Sequence, residues 1–216
     1  MRRAVFLDRD GVLNAMVLHP EFGIVDSPAN PDEVVLLPQV GEAIAELSRA
    51  GFVLLVISNQ PGIAKGKFTK RLLAAIQLKI LAEIENAGGK IDQIYNCLHH
   101  PNAVIEELSV RCQCRKPKPG LLHEAAREWQ IDLESSYMVG DGIDDILAGQ
   151  AAGTKTLLVS AQKCYVCESL NTHEARPDFI VTSLYEAAGV ILALEDGNRE
   201  FAERFAYRCE FALAKS

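Results

Sequence analysis

Strand-sized apolar runs alternate with stretches of helical periodicity along most of the chain, and that alternation leaves few folds open. Residues 4–7, 52–57, 94–97, 137–139, 156–159 and 179–181 are short and apolar, as strands buried on both faces are. Between them, residues 40–50, 70–87, 120–129, 143–152 and 184–194 carry helical spacing. Gly51 and Gly88-Gly89 stand where helix C-caps belong, and Thr69 and Ser183 where N-caps belong. Strands regularly separated by helices predict an α/β fold: a Rossmann-like, doubly wound parallel sheet with right-handed crossovers and helices on both faces.

In such sheets ligands bind beyond the carboxyl ends of the strands. The first strand runs into Asp8-Arg9-Asp10-Gly11, the second into Ser58-Asn59-Gln60, and the fourth into Gly140-Asp141-Gly142-Ile143-Asp144-Asp145. A basic stretch, Arg115-Lys116-Pro117-Lys118, precedes the intervening helix. Paired acids at a strand end suit a hard cation and a phosphate, with one carboxylate placed to attack phosphorus. Taken alone, the acid pair also fits a calcium loop or a plain polar turn. Compatible chemistry at the other strand ends is what favours the phosphate reading.

With 29 acidic against 22 basic residues, the net charge of −7 argues against a nucleic-acid partner but leaves room for a small phosphorylated metabolite held by a few local cations. No apolar run is long enough to span a bilayer, and Met1-Arg2-Arg3 leads straight into the first strand, so neither membrane insertion nor a signal peptide is expected. A cytoplasmic protein is expected, and its six cysteines read as thiols or metal ligands before disulfides. Cys97-Leu98-His99 with Cys112-Gln113-Cys114 supplies three thiolates and an imidazole, the closed donor set of structural Zn²⁺; His100 competes with His99 for the fourth position.

The ordered set Asp8/Asp10, Ser58, Lys116 and Asp141 resembles the haloacid dehalogenase (HAD) superfamily of phosphohydrolases over roughly residues 4–195. That resemblance implies Asp8 as nucleophile, Asp10 as general acid/base, Ser58 on a phosphoryl oxygen and Lys116 on the developing charge. It implies Mg²⁺ on Asp8, Asp141 and the Asp10 main-chain carbonyl, with Asp145 supporting the lysine or the metal, or Asp144 in its place. The zinc loop, with His99 as ligand, is similar to that of the subgroup lacking a large cap. Within that subgroup the segments Ser58-Asn59-Gln60-Pro61-Gly62-Ile63-Ala64-Lys65-Gly66-Lys67-Phe68 and Cys112-Gln113-Cys114-Arg115-Lys116-Pro117 look most like the heptose bisphosphate phosphatases, and more distantly like the histidinol-phosphate phosphatases. Asn59 and Gln60 would then line the substrate site, and Arg115 would bind a second phosphate. A protein of this fold that binds metal without catalysis is the alternative of a different class. Departures from the heptose pattern fall at Pro61, at Gly142 and in a longer loop after Asn14, where Phe22-Gly23-Ile24-Val25 loosely replaces an expected tyrosine motif.

The chain divides into a domain over residues 1–195 and a helical extension over 196–216. Residues 197–216 read as an amphipathic helix with Phe201, Phe205 and Phe211 on one side. A monomer is expected, with that helix as the surface a dimer would use. Residues 15–37, with Pro20, Pro28 and Pro31, form a long connection of the kind that is functional or mobile. Cys164 and Cys167 read as free thiols following a terminal strand, Cys209 as packing, and His19 as a solvated loop residue. Residues 62–68 superficially resemble a phosphate-binding nucleotide loop, but Phe68 stands where the hydroxyl residue is required.

Overall fold

A computed structural model describes residues 1–20, 23–160 and 163–208, with the side chains of His19 and residues 163–165 also outside the description. Phe211 and Cys209, singled out above, lie outside the described residues, as does Phe22.

The elements run in the order β1 (Ala4–Leu7), β2 (Val17–His19), β3 (Ile24–Asp26), α1 (Val40–Arg49), β4 (Val53–Asn59), α2 (Lys70–Asn86) and β5 (Gln93–Cys97). They continue with α3 (Gly120–Trp129), β6 (Tyr137–Gly140), α4 (Ile143–Ala152), β7 (Lys155–Val159), α5 (Lys163–Thr172), β8 (Phe179–Val181), α6 (Leu184–Glu195) and α7 (Arg199–Glu203). Six strands form one parallel sheet in the order β5-β4-β1-β6-β7-β8. The chain winds from β1 outward through β4 to β5, then returns to the other side of β1 with β6. The crevice where that direction reverses lies between the ends of β1 and β6, where doubly wound sheets bind ligands.

The alternation of side chains along each strand builds two cores. Val5, Leu7, Leu54 and Val56 face a layer formed by α1, α2 and α6, with Ile44, Ile76, Ile80 and Ile191 filling it. Ala4, Phe6, Val53, Leu55 and Ile57 face the opposite way, onto Leu121, Leu122 and Ala125 of α3 and Ala148 and Ala152 of α4. With both faces covered, β1 is wholly buried, which is why it carries no polar side chain before Asp8.

Three segments differ from the sequence reading. The connection over residues 15–37 contains an antiparallel hairpin, β2 with β3, whose root is closed by Ala15 N–H to Val35 O (2.8 Å) and Leu37 N–H to Leu13 O (2.9 Å). Three-residue strands with exposed apolar tips lack the buried alternation that marks a strand in sequence. The expected terminal helix is short. It ends at Glu203, and residues 205–207 then pair with the open edge of β8 through Ile180 N–H to Phe205 O (2.8 Å) and Tyr207 N–H to Asp178 O (3.0 Å). An unpaired strand edge is a ready template for a further extended segment. Cys164 and Cys167 sit in the first turns of α5 rather than in a segment outside a helix. No helix among the described residues is long and apolar enough to cross a membrane.

The buried face of α2 is testable by a pair of substitutions on one helix. Ile80 is 1% exposed and Leu78 is 67% exposed. Ile80→Ala is expected to cost about 2–5 kcal/mol in urea denaturation, whereas Leu78→Ala should cost about 0.5 kcal/mol or less.

Candidate active site

Asp8 follows β1 directly, and its N–H donates to Val139 O of β6 at 2.9 Å, so the acid is pinned at the switch point. Gly11 takes a φ of +82°, and a Cβ there would collide with the Asp141 carboxylate. Glycine is needed at this turn for both reasons, and its absent side chain lets the ends of β1 and β6 approach. Carboxylate oxygens of Asp8, Asp141 and Asp145 lie within 4.8 Å of one another, with Asp145 buried and Asp141 exposed.

Lys116 resolves that crowding. It is 2% exposed, and its Nζ reaches Asp8 Oδ1 at 2.8 Å, Asp145 Oδ1 at 2.5 Å and the Ile57 carbonyl at 2.7 Å. Burial alone would depress the ammonium, but Asp145 and Asp8 outweigh it and hold Lys116 above its ordinary value. Burial, reinforced by the Asp145 charge and only partly offset by Lys116, pushes Asp8 up to about 7. Desolvation and Asp145 raise Asp141 to about 6. Asp145 also accepts from the Gly142 N–H at 3.0 Å, capping α4, whereas its neighbour Asp144 is exposed and makes no contact with Lys116.

Asp10 is held from several sides. Arg9, 1% exposed, donates through Nε and Nη2 at 2.9–3.2 Å; Asn14 Nδ2 donates to Oδ1 at 2.9 Å; Ser27 Oγ and Gln60 Nε2 donate to Oδ2 at 2.9 and 2.8 Å. Gln60 Nε2 also donates to Ser58 Oγ at 2.9 Å, which leaves the buried hydroxyl proton of Ser58 to point elsewhere. Asn59 braces the lysine: its Nδ2 donates to Lys116 O at 3.0 Å and its Oδ1 accepts from Lys116 N–H at 3.1 Å. The sequence reading missed Arg9, Asn14 and Ser27. A cation between two acids was the one available signal for Arg9; Ser27 had none, because only the hairpin brings it near.

Asp8, Asp10, Ser58, Asn59, Lys116, Asp141 and Asp145 line one cavity of about 220 Å³, together with Met16, Ser27, Gly142 and Asp144. It adjoins a larger one, about 440 Å³, lined by Lys65, Lys67, Arg115 and Pro61 among others, with Ser27 and Asn59 common to both. Lys67 is ion-paired with Asp26 of the hairpin, while Nη1 of Arg115 is buried without a hydrogen-bond partner.

Beside the lysine, Cys97 at the end of β5, His99, Cys112 and Cys114 bring their ligand atoms within 4.8 Å of one another. Sulfur–sulfur separations of 3.1–3.5 Å and His99 Nδ1 at 3.3 Å from Cys114 Sγ gather the four donors around one point, more tightly than the edges of about 3.8 Å that Zn–S bonds of about 2.3 Å would give a tetrahedron. His100 lies outside the cluster and accepts instead from the Asn102 N–H at 3.1 Å. Burial pushes the Cys97 thiol up, and against its own burial Cys112 is brought down to about 6 by hydrogen bonds from Cys114 and Cys97. The donor set and spacing fit structural Zn²⁺, and the last ligand is separated from Lys116 only by Arg115.

Residues 113–187 match the family model described as HAD-hydrolase-like. The D-glycero-β-D-manno-heptose-1,7-bisphosphate 7-phosphatase of Yersinia pestis is 38% identical over 192 residues, covering 88% of this chain and 95% of that protein. The enzyme of the same name from Escherichia coli K12 is 40% identical over 157 residues, 72% of this chain and 78% of that protein. Among solved structures, the D,D-heptose 1,7-bisphosphate phosphatase of B. bronchiseptica, complexed with magnesium and phosphate, superposes with a TM-score of 0.72 at 31% identity, covering 89% of this chain and 99% of that one. This chain belongs to the HAD-type D-glycero-β-D-manno-heptose-1,7-bisphosphate 7-phosphatase family.

Proposed function

We propose that the protein removes the 7-phosphate of D-glycero-β-D-manno-heptose 1,7-bisphosphate through an aspartyl-phosphate on Asp8. The observation that carries the reading is the cavity itself. A strand-end carboxylate seated on a buried ammonium stands beside a second, heavily hydrogen-bonded carboxylate, and the space opens onto a neighbouring cavity lined by cations. Relatives named for this substrate over most of the chain supply its identity.

Asp8, Asp141 and the Asp10 main-chain carbonyl would hold Mg²⁺, since hard oxygen donors with one acid open to water suit that ion. When bound, it would offset the repulsion between a phosphate dianion and the acids. Asp8 attacks phosphorus as the bond to the leaving sugar oxygen breaks, and Asp10 gives that oxygen its proton. Asp10 then takes a proton from water, whose oxygen displaces Asp8 and releases inorganic phosphate. Ser58 donates to a phosphoryl oxygen, and Lys116 neutralises the charge that builds during transfer. Lys65 and Arg115 take the distal phosphate in the larger cavity, Arg115 through its forked donors.

Asp8→Asn should reduce Mg²⁺-dependent phosphate release about 10³-fold or more, measured on a panel containing both heptose 1,7-bisphosphate anomers, histidinol phosphate and an aryl phosphate. An unmodified protein, supplied with Mg²⁺ and Zn²⁺, that is inactive on the whole panel would sink the proposal. Because Asp8 at about 7 and Asp141 at about 6 must lose protons to take the ion, Mg²⁺ competes with H⁺. Its affinity therefore rises with pH, and the Mg²⁺-induced increase in melting temperature should be larger at pH 8 than at pH 6. Elemental analysis of protein purified without chelator should find one zinc per chain. Cys112→Ser should lose that zinc and lower both melting temperature and turnover, because the loop that presents Lys116 is released.

A further inference from the structure

Asp10 has more donors than are needed to hold a carboxylate, and one differs in kind from the rest. Arg9 (1% exposed), Asn14 (0%) and Gln60 (1%) come from the buried floor, and the groups they offer Asp10 are a guanidinium and two amide nitrogens that can only donate. Ser27 is half-buried and follows β3, the second strand of the hairpin. A hydroxyl can donate to a carboxylate and accept from a carboxylic acid. Among the described partners of the Asp10 side chain, Ser27 alone offers a group that can accept from a protonated Asp10 as well as donate to its carboxylate; the others donate to whichever oxygen carries no proton.

Its placement is built. The Ser27 N–H donates to Asp26 Oδ1 at 2.9 Å, and the other Asp26 oxygen pairs with Lys67 from the loop after Ser58. Pro28, which is buried, follows it and restricts Ser27 to extended backbone. Ser27 lines both the smaller cavity and the larger one, so it stands where the two meet. A leaving alcohol whose phosphate occupies the first cavity and whose body occupies the second passes that point.

We infer that Ser27 is a positioning residue for Asp10: held over the cavity by the hairpin, its hydroxyl keeps Asp10 Oδ2 turned toward the departing oxygen. The inference rests on Asp10 being the general acid of the proposed reaction. Its signature is a dependence on leaving-group basicity, because a poor leaving group needs the proton and a good one does not.

The test compares p-nitrophenyl phosphate with phenyl phosphate, similar in shape but unlike in leaving-group basicity, using the full chain with saturating Mg²⁺. S27A should lower kcat/KM about 10-fold or more on phenyl phosphate and less than about 3-fold on p-nitrophenyl phosphate. S27T, which keeps the hydroxyl, should recover the phenyl phosphate value to within about 3-fold, with the melting temperatures of both variants unchanged. Equal losses on the two substrates, no loss on either, or an S27T variant that behaves like S27A would overturn the role of the hydroxyl. Failure of the unmodified protein to hydrolyse these two compounds and both heptose 1,7-bisphosphate anomers and histidinol phosphate as well would instead reject the phosphatase reading itself, and the inference with it.

Discussion

The Lys116 ammonium is the interaction on which the rest of the site depends. Asp8, Asp141 and Asp145 converge at the end of a low-dielectric sheet, and without a cation their mutual repulsion and lost hydration would leave them protonated or apart. Lys116 meets two of the three acids and the Ile57 carbonyl, and so ties together β1, β4 and the start of α4. Removing either acid would leave a buried charge without its partner, which costs more than the pair contributes. The lysine therefore holds the acids together while lining the cavity that they form. Even so, it leaves Asp8 and Asp141 raised, a mouth still short of positive charge and suited to a divalent cation.

Two surface segments deliver the remaining groups. The Cys97–His99–Cys112–Cys114 cluster fixes the loop that ends in Arg115 and Lys116, and Asn59 fastens the Lys116 backbone from the other side. Opposite it, the β2–β3 hairpin closes over Asp10 through Ser27 and onto the loop after Ser58 through Asp26 and Lys67. Among the described residues no separate cap domain covers the cavity; these two arms shape it instead. Both the positions where this chain departs from the heptose pattern and the hairpin line that space, Pro61 in the larger cavity and Gly142 in the smaller.

Much of this was legible before any coordinates. Residues 120–129 and 143–152 are bounded in the structure as the sequence placed them, the first through its marked amphipathic period and the second between a strand-end Gly142 and the left-handed C-cap Gly153. The N-caps at Thr69 and Ser183 were legible too, since a capping hydroxyl acts on its own next turn. Asn59 shows the limit. Its position in the motif suggested the substrate site, and it lines both cavities, but its amide also pairs with a backbone 57 residues away, a pairing that no local pattern encodes. The terminal segment shows another: helical spacing continued past Glu203, but the exposed edge of β8 captured the chain.

What the amino-acid order determined by itself is what depends on short range: strand-sized apolar runs, helical faces, caps, and acids, thiols and a lysine at the ends of those elements. These are properties of a residue and its near neighbours, and they specify both the sheet and the chemistry at its rim. Tertiary structure decided which of those groups meet. It chose Asp145 rather than Asp144 for the lysine and His99 rather than His100 for the sulfur cluster. It also brought Ser27 and Gln60 onto Asp10, from 17 and 50 residues away. The physical reason is range. A hydrogen bond or ion pair across the switch point depends on where two distant strands end, and that is settled only once both cores have packed.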